Sequence, residues 1–287
     1  MSIVYLNGEY MPAEQAKISP MDRGFLFGDG IYEVVPSCGG RFIGLGPHID
    51  RFFRGLAAIE IDHDFDRNMF KDICTRLSEE NGRGNLGIYL HVSRGADTKR
   101  HHAFPVGIKP TVFAYTFEIE APVVKDEKTT KTYRVATHTD LRWQHCDIKS
   151  TALLGNVLHF QQGHAAGCDE TILFNSDGEL TEAASCNVFI VTGDVVSTPS
   201  LDSQKLPGIT RLLLLRILNE HSKLRVQERV INKNEVFSAD EIWLTSSTKQ
   251  VGPVVAIDNQ PVSNGEPGAV WQQAQALFSK YQFDYND

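Results

Sequence analysis

The segment from Glu118 to Thr132 divides the chain more clearly than any other. It is charged and contains proline, with the run Lys125-Asp126-Glu127-Lys128, and this composition favours an exposed connection over a helix or strand. The 287 residues can form one large domain or two smaller ones that each bury a core. We therefore predict a small N-terminal domain over residues 1–120, a linker over residues 121–132 and a larger C-terminal domain over residues 133–287.

Helical and strand-like segments occur in both halves of the chain. The pair Asn7-Gly8 predicts a tight hairpin between two short strands at the start. Apolar residues at helical spacing predict helices from Pro47 onwards, over Asp66 to Leu77 and from about Ser150 to Ala165. Further helices are predicted over 211–218 and 270–281, and strands over 31–35, 86–93, 111–117, 133–137, 171–174, 188–191 and 241–245.

Charge and cysteine content argue against several classes of function. The net charge is -8 and the basic residues are scattered, so neither a nucleic acid nor a membrane is an expected partner. The first residues lack the pattern of an export signal, and we predict no membrane anchor. The five cysteines form no C-x-x-C pair and the ten histidines no H-x-x-x-H pair, so we expect no disulfide framework and no metal site. These features favour a cytoplasmic protein.

Four features offer the groups that one cofactor requires. Lys149, in the stretch from Cys146 to Asn156, is a candidate nucleophilic amine, although most lysines in such a position are solvated surface charges. Glu182 is a carboxylate on a loop of small residues, Gly208 to Thr210 open an apolar helix whose free N–H groups can bind phosphate, and Ser246 to Thr248 form a hydroxyl-rich turn. Pyridoxal phosphate needs an amine for its aldehyde, a carboxylate for its pyridine nitrogen and such donors for its phosphate. The sequence therefore predicts pyridoxal 5'-phosphate as cofactor.

The order of these features resembles the fold-type IV pyridoxal-phosphate aminotransferases and, within them, the D-amino acid transaminases. The resemblance covers nearly the whole chain. It implies an α+β fold with a small N-terminal α/β domain and a larger C-terminal pseudo-barrel α/β domain that binds the cofactor. It also implies a homodimer with active sites at the subunit interface. The matching segments are Asp22-Arg23-Gly24, Phe27 to Glu33, His48 to Arg51, Asp147 to Ser150, Leu153 to Asn156, Glu182 with Ser185 and Asn187, Gly208 to Arg211, and Thr245 to Thr248.

The resemblance also implies a role for each matching residue. Lys149 would form a Schiff base with the cofactor and, once substrate displaces it, would move a proton between the substrate Cα and the cofactor C4′. Glu182 would lie beside the pyridine nitrogen and keep it protonated, so that the ring can accept electrons. The remaining cofactor-binding residues, most of them at the phosphate, are Arg51, Ser185, Ile209, Thr210, Ser247 and Thr248.

The substrate site is implied by the same resemblance. In these transaminases an arginine, a histidine and a tyrosine hold the substrate α-carboxylate, and part of this trap comes from the partner subunit. Tyr32 matches the tyrosine. When the loop is aligned from its end at Phe104-Pro105, the arginine and the histidine correspond to Arg100 and His102. Counting forward gives Lys99 and His101 instead, because this loop is one residue longer than the usual pattern. We prefer Arg100, since a guanidinium grips a carboxylate at two points and an ammonium at one.

The leading hypothesis is a D-amino acid transaminase that passes the amino group of D-alanine or D-glutamate to a 2-oxo acid through a pyridoxamine intermediate. Three alternatives share the fold: a branched-chain L-amino acid aminotransferase, an (R)-amine transaminase and 4-amino-4-deoxychorismate lyase. A phosphate-binding module without catalysis is an alternative from another class. It predicts a colourless protein in which borohydride attaches nothing to Lys149.

Overall fold

The computed structural model describes residues 2–120 and 130–287 and divides into two compact units. Unit 1 comprises the described part of residues 1–121 together with 148–153 and 285–287, and unit 2 comprises the described part of 122–147 together with 154–284. The interdomain linker predicted over residues 121–132 lies outside the described residues except for its last three positions. Each unit contains its own sheet and its own apolar core.

Unit 1 is built on a six-stranded antiparallel sheet with the strand order β2-β1-β6-β5-β3-β4. The opening hairpin turns at Asn7-Gly8, where both residues have positive φ, as predicted. The elements of this unit are β1 (Ile3–Leu6), β2 (Glu9–Pro12), a 3-10 turn (Ala13–Gln15), α1 (Arg23–Phe27), β3 (Gly30–Cys38), β4 (Arg41–Phe42), α2 (Leu45–Ala58), α3 (Arg67–Glu80), β5 (Asn85–Ser93) and β6 (Thr111–Glu118).

The core of unit 1 lies between the sheet and the helices α2 and α3. Ile31 and Val35 lie on the face of β3 that points toward this core and are fully buried. Phe52 of α2 and Phe70 of α3 meet edge to face, with ring centroids 4.9 Å apart. Burying one such large side chain stabilises a fold by about 1.5–3 kcal/mol, so this core holds β3 firmly in place.

Residues 148–153 belong to unit 1 because their backbone forms hydrogen bonds with the start of β3. The amide of Tyr32 donates to the carbonyl of Lys149 over 3.1 Å, and the amide of Thr151 donates to the carbonyl of Gly30 over 2.9 Å. The helix predicted from about Ser150 is therefore wrong at its start, and α4 begins four residues later at Leu154. The residues in between use their backbone groups in these long-range bonds rather than in a helical turn.

Unit 2 contains a nine-stranded mixed sheet with the order β12-β11-β10-β13-β14-β7-β8-β9, and β15 pairs with β14. The sheet curls into a half-barrel, and the mixture of helices and sheets in the two units confirms the predicted α+β class. The elements are β7 (Tyr133–Thr139), α4 (Leu154–Ala165), β8 (Glu170–Phe174), β9 (Leu180–Ala183), β10 (Asn187–Thr192), β11 (Val195–Thr198), α5 (Ile209–His221), β12 (Arg225–Glu228), α6 (Lys233–Phe237), β13 (Glu241–Ser246), β14 (Gln250–Ile257), β15 (Gln260–Pro261) and α7 (Ala269–Tyr281).

The centre of unit 2 is formed by β10 and β13, which pair in antiparallel register. Phe189 and Trp243 face each other across this pair and are fully buried. Helix α5 packs against both β13 and α7, and most of its side chains are buried. Within residues 2–120 and 130–287, no helix is long and apolar enough to cross a membrane.

Candidate active site

Lys149 lies beside Tyr32 in unit 1. Its Nζ atom donates a hydrogen bond to the Tyr32 hydroxyl over 3.2 Å and lies 4.3 Å from the centre of the same ring. An isolated β-bridge between Ile31 and Ser150 fixes the neighbouring backbone. Because the side chain starts from this anchored segment, β3 determines where the amine lies.

Arg51 lies in a buried ion pair in the same unit. Its Nε and Nη2 atoms donate to the two carboxylate oxygens of Glu33 over 2.6 and 2.8 Å, and Nδ1 of His48 lies 2.7 Å from one of them. Burial alone would raise the pKa of Glu33, but the charges of Arg51 and His48 outweigh it and hold that pKa far below its usual range. Burial also lowers the pKa of His48. The guanidinium of Arg51 is therefore held in one orientation before any ligand binds.

Sequence reasoning did not identify Glu33 and His48 as the partners of Arg51. A signal was present, because Glu33 occupies an inward position between the core residues Ile31 and Val35 of β3. A carboxylate at such a position requires a cation or several hydrogen bonds to remain ionised.

Arg100 and His102 share one aromatic ring. The guanidinium carbon of Arg100 lies 4.9 Å from the centre of the Phe27 ring, and the His102 ring lies 5.3 Å from it, centre to centre. Both side chains are exposed, as is Lys99. The backbone carbonyls of His101, the alternative histidine, and of His102 both accept from Arg23. Arg100 and His102 therefore lie against the same ring, and their role as the substrate-binding pair stays a prediction.

Glu182 is buried at the end of β9 in unit 2, where it has three partners. Nη1 of Arg142 donates to it over 2.6 Å, Nδ2 of Asn187 over 3.1 Å and the amide of Leu206 over 3.0 Å. Burial raises the pKa of Glu182, and the ion pair with Arg142 offsets only part of that effect. Asp140 holds the other side of Arg142 over 2.7 Å. The carboxylate is therefore fixed among donors in a poorly solvated place.

Asp140 and Arg142 were not predicted as site residues. Asp140 directly follows β7 and Arg142 comes two positions later. This acid-x-base spacing was the one signal for them in the sequence. It is a common surface pattern, so only the fold shows that Arg142 turns toward Glu182.

The start of α5 is tied to the Glu182 network. Gly208 is the N-cap, and within the described residues no side chain caps this helix end, so the amides of Ile209 and Thr210 keep the anion-binding character of a helix start. A methyl group at Gly208 would lie 2.0 Å from Oδ1 of Asn187. Asn187 also donates to the carbonyl of Leu206 over 2.9 Å. One asparagine therefore links the buried carboxylate to the helix start.

The hydroxyl-rich turn follows β13 in the same unit. Asn187 and Thr245 are direct partners in the β10–β13 register, so the turn begins beside the residue that bonds Glu182. The amide of Lys249 donates to Oγ of Ser246 over 3.1 Å and closes the turn. Ser247 is half-buried and Thr248 is exposed, and the Thr248 hydroxyl lies 3.4 Å from that of Ser246.

Ser185 lies in a second polar cluster of unit 2. Its hydroxyl donates to the buried carboxylate of Glu170, and Nζ of Lys249 lies 3.7 Å from the same carboxylate. The neighbouring thiol of Cys186 is buried, which raises its pKa to about 11 and keeps it protonated. In the part of the chain that the structure describes, no group of three His, Cys, Asp or Glu residues is placed to hold a metal ion.

These groups fit a pyridoxal phosphate. Unit 2 contains a buried carboxylate, which the pyridine nitrogen requires, and a helix start without a side-chain cap, which a phosphate requires. Asn187 bonds to the first and lies at the second. Unit 1, taken by itself, contains an amine on an anchored segment, as the aldehyde requires. Fold and site together define a pyridoxal-phosphate-dependent aminotransferase, as the sequence predicted.

Comparison with known proteins assigns the family. The model of the family described as Amino-transferase class IV matches residues 30–257, and the chain belongs to this family. It is 36% identical over 272 residues to the D-alanine aminotransferase of Bacillus licheniformis, covering 95% of this chain and 94% of that protein. It is 35% identical over 282 residues to the D-alanine aminotransferase of Staphylococcus epidermidis, covering 98% of each.

Solved structures share the fold. The branched-chain amino acid aminotransferase of Escherichia coli has a TM-score of 0.87 at 20% identity and covers 100% of this chain and 96% of its own. The branched-chain aminotransferase of Thermoproteus uzoniensis, solved with norvaline, has a TM-score of 0.87 at 21% identity and covers 99% and 96%. At this identity the likeness concerns the fold alone. The predicted fold-type IV architecture is confirmed.

Proposed function

We propose that this protein is a D-amino acid transaminase that moves the amino group of a D-amino acid, of the D-alanine or D-glutamate type, to a 2-oxo acid. The observation that carries the proposal is the placement of Arg100 and His102 against the one ring of Phe27. A guanidinium and an imidazole at one ring suit the α-carboxylate that distinguishes an amino acid from a simple amine. The relatives named D-alanine aminotransferase support the D configuration over the branched-chain alternative.

The cofactor-binding roles follow the two networks described above. Glu182 holds the pyridine nitrogen, and Ile209 and Thr210 hold the phosphate through the N–H groups and hydroxyl at the start of α5. The other cofactor-binding residues are Arg51, Ser185, Ser247 and Thr248. When bound, pyridoxal phosphate takes up the amino group and delocalises the electron pair that remains on the substrate Cα.

Lys149 moves the proton. Its Nζ atom would remove the proton from the substrate Cα and pass it to C4′ of the cofactor, while the hydroxyl of Tyr32 holds the amine in place. Tyr32 lies on β3, and its backbone amide is bonded to the carbonyl of Lys149 itself. The base and the group that orients it are therefore parts of one anchored segment.

The half-reaction with single amino donors tests the substrate class. We expect the absorbance of the bound cofactor to change with D-alanine and D-glutamate and to respond far less to L-alanine, L-leucine and (R)-1-phenylethylamine. A protein whose cofactor is converted by L-leucine alone contradicts the proposal.

The role of Lys149 has its own test. Borohydride should fix the cofactor to a peptide that contains Lys149, as seen by mass spectrometry, and Lys149→Ala should lose this label while keeping its fold. Lys280→Ala, which changes a lysine in the last turn of α7, is the control and should label like the wild type. Labelling of another lysine in the wild type would remove Lys149 from its role.

We also propose a homodimer in the cytoplasm. Several large apolar side chains on α4 and in the segment before it are exposed, and they are Leu141, Trp143, Leu154, Val157, Leu158 and Phe160. Several exposed apolar side chains in one short stretch are typical of an interface. All five cysteines are free, which suits a reducing compartment.

Sedimentation velocity tests the dimer. Val157→Glu places a charge in this patch and should shift the protein toward the monomer. Val230→Glu, at a valine of similar exposure in a different segment, is the control and should sediment like the wild type. An unchanged sedimentation coefficient in Val157→Glu would place the interface elsewhere.

A further inference from the structure

We propose that Arg23 is a positioning residue for the substrate carboxylate, because its guanidinium sets the path of the loop that carries Arg100 and His102. The inference rests on the proposed function, in which that pair binds the carboxylate. Arg23 itself does not touch the substrate in this proposal and acts through the loop.

Arg23 holds the loop by three consecutive carbonyls. Its Nη1 atom donates to the carbonyls of His101 over 2.5 Å and Ala103 over 3.4 Å, and Nη2 donates to the carbonyl of His102 over 3.2 Å. The Arg23 side chain is buried, so these charge-assisted bonds are poorly screened by solvent. Between Arg94 and Pro110 the chain forms neither helix nor strand, so its path depends on contacts of this kind.

Arg23 also supports the ring on which the two side chains rest. The guanidinium carbon lies 4.8 Å from the centre of the Phe27 ring, four residues further along α1. Arg100 and His102 lie against the same ring. One residue therefore fixes both the backbone of the loop and the aromatic surface beneath its functional side chains.

Asp29 orients Arg23 and connects it to Arg94 at the start of the loop. Its carboxylate accepts from Nε of Arg23 over 2.8 Å, and from Nε and Nη2 of Arg94 over 2.8 and 3.1 Å. Arg94 in turn lies 3.6 Å from the centre of the Phe104 ring and donates to the carbonyl of Glu60 over 2.8 Å. Two arginines that share one carboxylate thus hold the loop at its start and in its middle.

The state of charge of this group agrees with the geometry. Burial alone would raise the pKa of Asp29, but the hydrogen bonds from Arg94 and Arg23 outweigh it and keep the pKa below its ordinary value. Asp29 therefore stays ionised at neutral pH and keeps its ion pairs with Arg23 and Arg94.

The test uses the holoenzyme with Arg23→Lys, which keeps the charge but loses the forked donor geometry. We expect the half-saturation concentration of D-alanine in the half-reaction to rise about tenfold or more, the effect of losing one or two charge-assisted hydrogen bonds. The maximal rate should stay within about threefold, because the reacting atoms are untouched. The half-reaction with (R)-1-phenylethylamine, which has no carboxylate, should not change.

A second readout does not depend on activity. Trypsin should cleave after Lys99 and Arg100 faster in Arg23→Lys than in the wild type, as followed by mass spectrometry of the released peptides. Asp29→Asn removes the charge that orients Arg23 and should move both readouts in the same direction; it decides the question by itself if Arg23→Lys does not fold. Arg76→Lys, which changes an ion-paired, ring-stacked arginine of α3, is the control and should match the wild type.

The outcomes separate the inference from the proposed function. An unchanged half-saturation concentration of D-alanine in both Arg23→Lys and Asp29→Asn overturns the inference. An equal rise in the half-saturation concentration of (R)-1-phenylethylamine, which lacks a carboxylate, overturns it as well. If only L-alanine converts the wild-type cofactor, the D configuration is refuted, and the same comparison is made with L-alanine, which carries the same carboxylate. A wild type that no amino acid converts refutes the proposed function itself.

Discussion

The Nζ atom of Lys149 lies 3.2 Å from the hydroxyl oxygen of Tyr32, although 117 residues separate them in the chain. The backbone amide of Tyr32 also donates to the carbonyl of Lys149, so the two residues are joined twice. Because β3 is held by the core of unit 1, the sheet rather than the local chain determines the position of the amine.

Tyr32→Phe should slow proton transfer while leaving the fold intact. The ring keeps its place at a centroid distance of 5.6 Å from Tyr89, and only the hydroxyl that accepts from Lys149 is lost. A hydrogen bond of this kind is worth about 1 kcal/mol, so we expect the maximal rate of the D-alanine half-reaction to fall about fivefold or more. Stopped-flow absorbance measures the rate. A wild-type rate would show that the hydroxyl does not orient the amine.

Glu33→Gln should destabilise the protein in a pH-dependent way. The change leaves the buried guanidinium of Arg51 without its counter-charge, and breaking such a pair costs about 3 kcal/mol or more. The folded-state pKa of Glu33 lies below its ordinary value of 4.5, so its contribution is complete above that pH and is lost as the pH falls toward the folded value.

Urea unfolding of the wild type and of Glu33→Gln measures this effect. The wild type should be more stable at pH 7, and the difference should shrink by about 1.4 kcal/mol at about pH 3.5, one unit below the ordinary pKa. A difference that is constant between these pH values would mean that the Glu33 carboxylate is not the group whose ionisation stabilises the fold.

Glu182→Gln should reduce catalysis far more than cofactor binding. The amide keeps the size of the side chain and can still accept from Leu206, but it removes the negative charge opposite Arg142. Loss of a preorganised charge at a reacting centre costs about 10²–10³ in rate. Half-reaction rates and equilibrium dialysis of the cofactor separate the two effects. Glu179→Gln, in the turn before β9, is the control, and equal losses in both variants would argue against a specific role.

The local parts of the fold were predictable from sequence. The hairpin at Asn7-Gly8 is correct because positive φ is a property of those two residues themselves. Helix α3 begins at Arg67 because the Asp66 carboxylate caps it by accepting from the amide of Met69 over 2.8 Å, again within one turn. Signals of this kind need no knowledge of distant residues.

The sequence allowed candidate site residues to be proposed but not their contacts. Lys149, Glu182 and Thr210 were proposed from their surroundings in the sequence, whereas the partners of the charged groups come from far along the chain. Arg142 reaches Glu182 across 40 residues. The spacing of apolar residues in the sequence cannot predict such a pairing, because the pairing depends on how the strands are ordered in the sheet. The early start assigned to α4 is wrong for the same reason.

Gly208→Ala should weaken cofactor binding through a clash with Asn187. The backbone of Gly208 has a φ of -61°, which any residue adopts, so the glycine is needed for space and not for conformation. An added methyl group would lie 2.0 Å from Oδ1 of Asn187, and relief of that clash must move either the asparagine or the start of α5. Overpacking of this kind costs about 1–3 kcal/mol.

We expect the dissociation constant of pyridoxal phosphate for Gly208→Ala to rise about tenfold, as measured by fluorescence or absorbance titration of the apoprotein. Gly84→Ala is the matched control, because a methyl group there meets nothing within 4 Å, and it should bind like the wild type. If Gly208→Ala bound the cofactor as well as Gly84→Ala does, the helix start would not hold the phosphate. A loss of affinity restricted to Gly208→Ala would instead support α5 as the phosphate-binding helix, with Asn187 linking it to the carboxylate of Glu182.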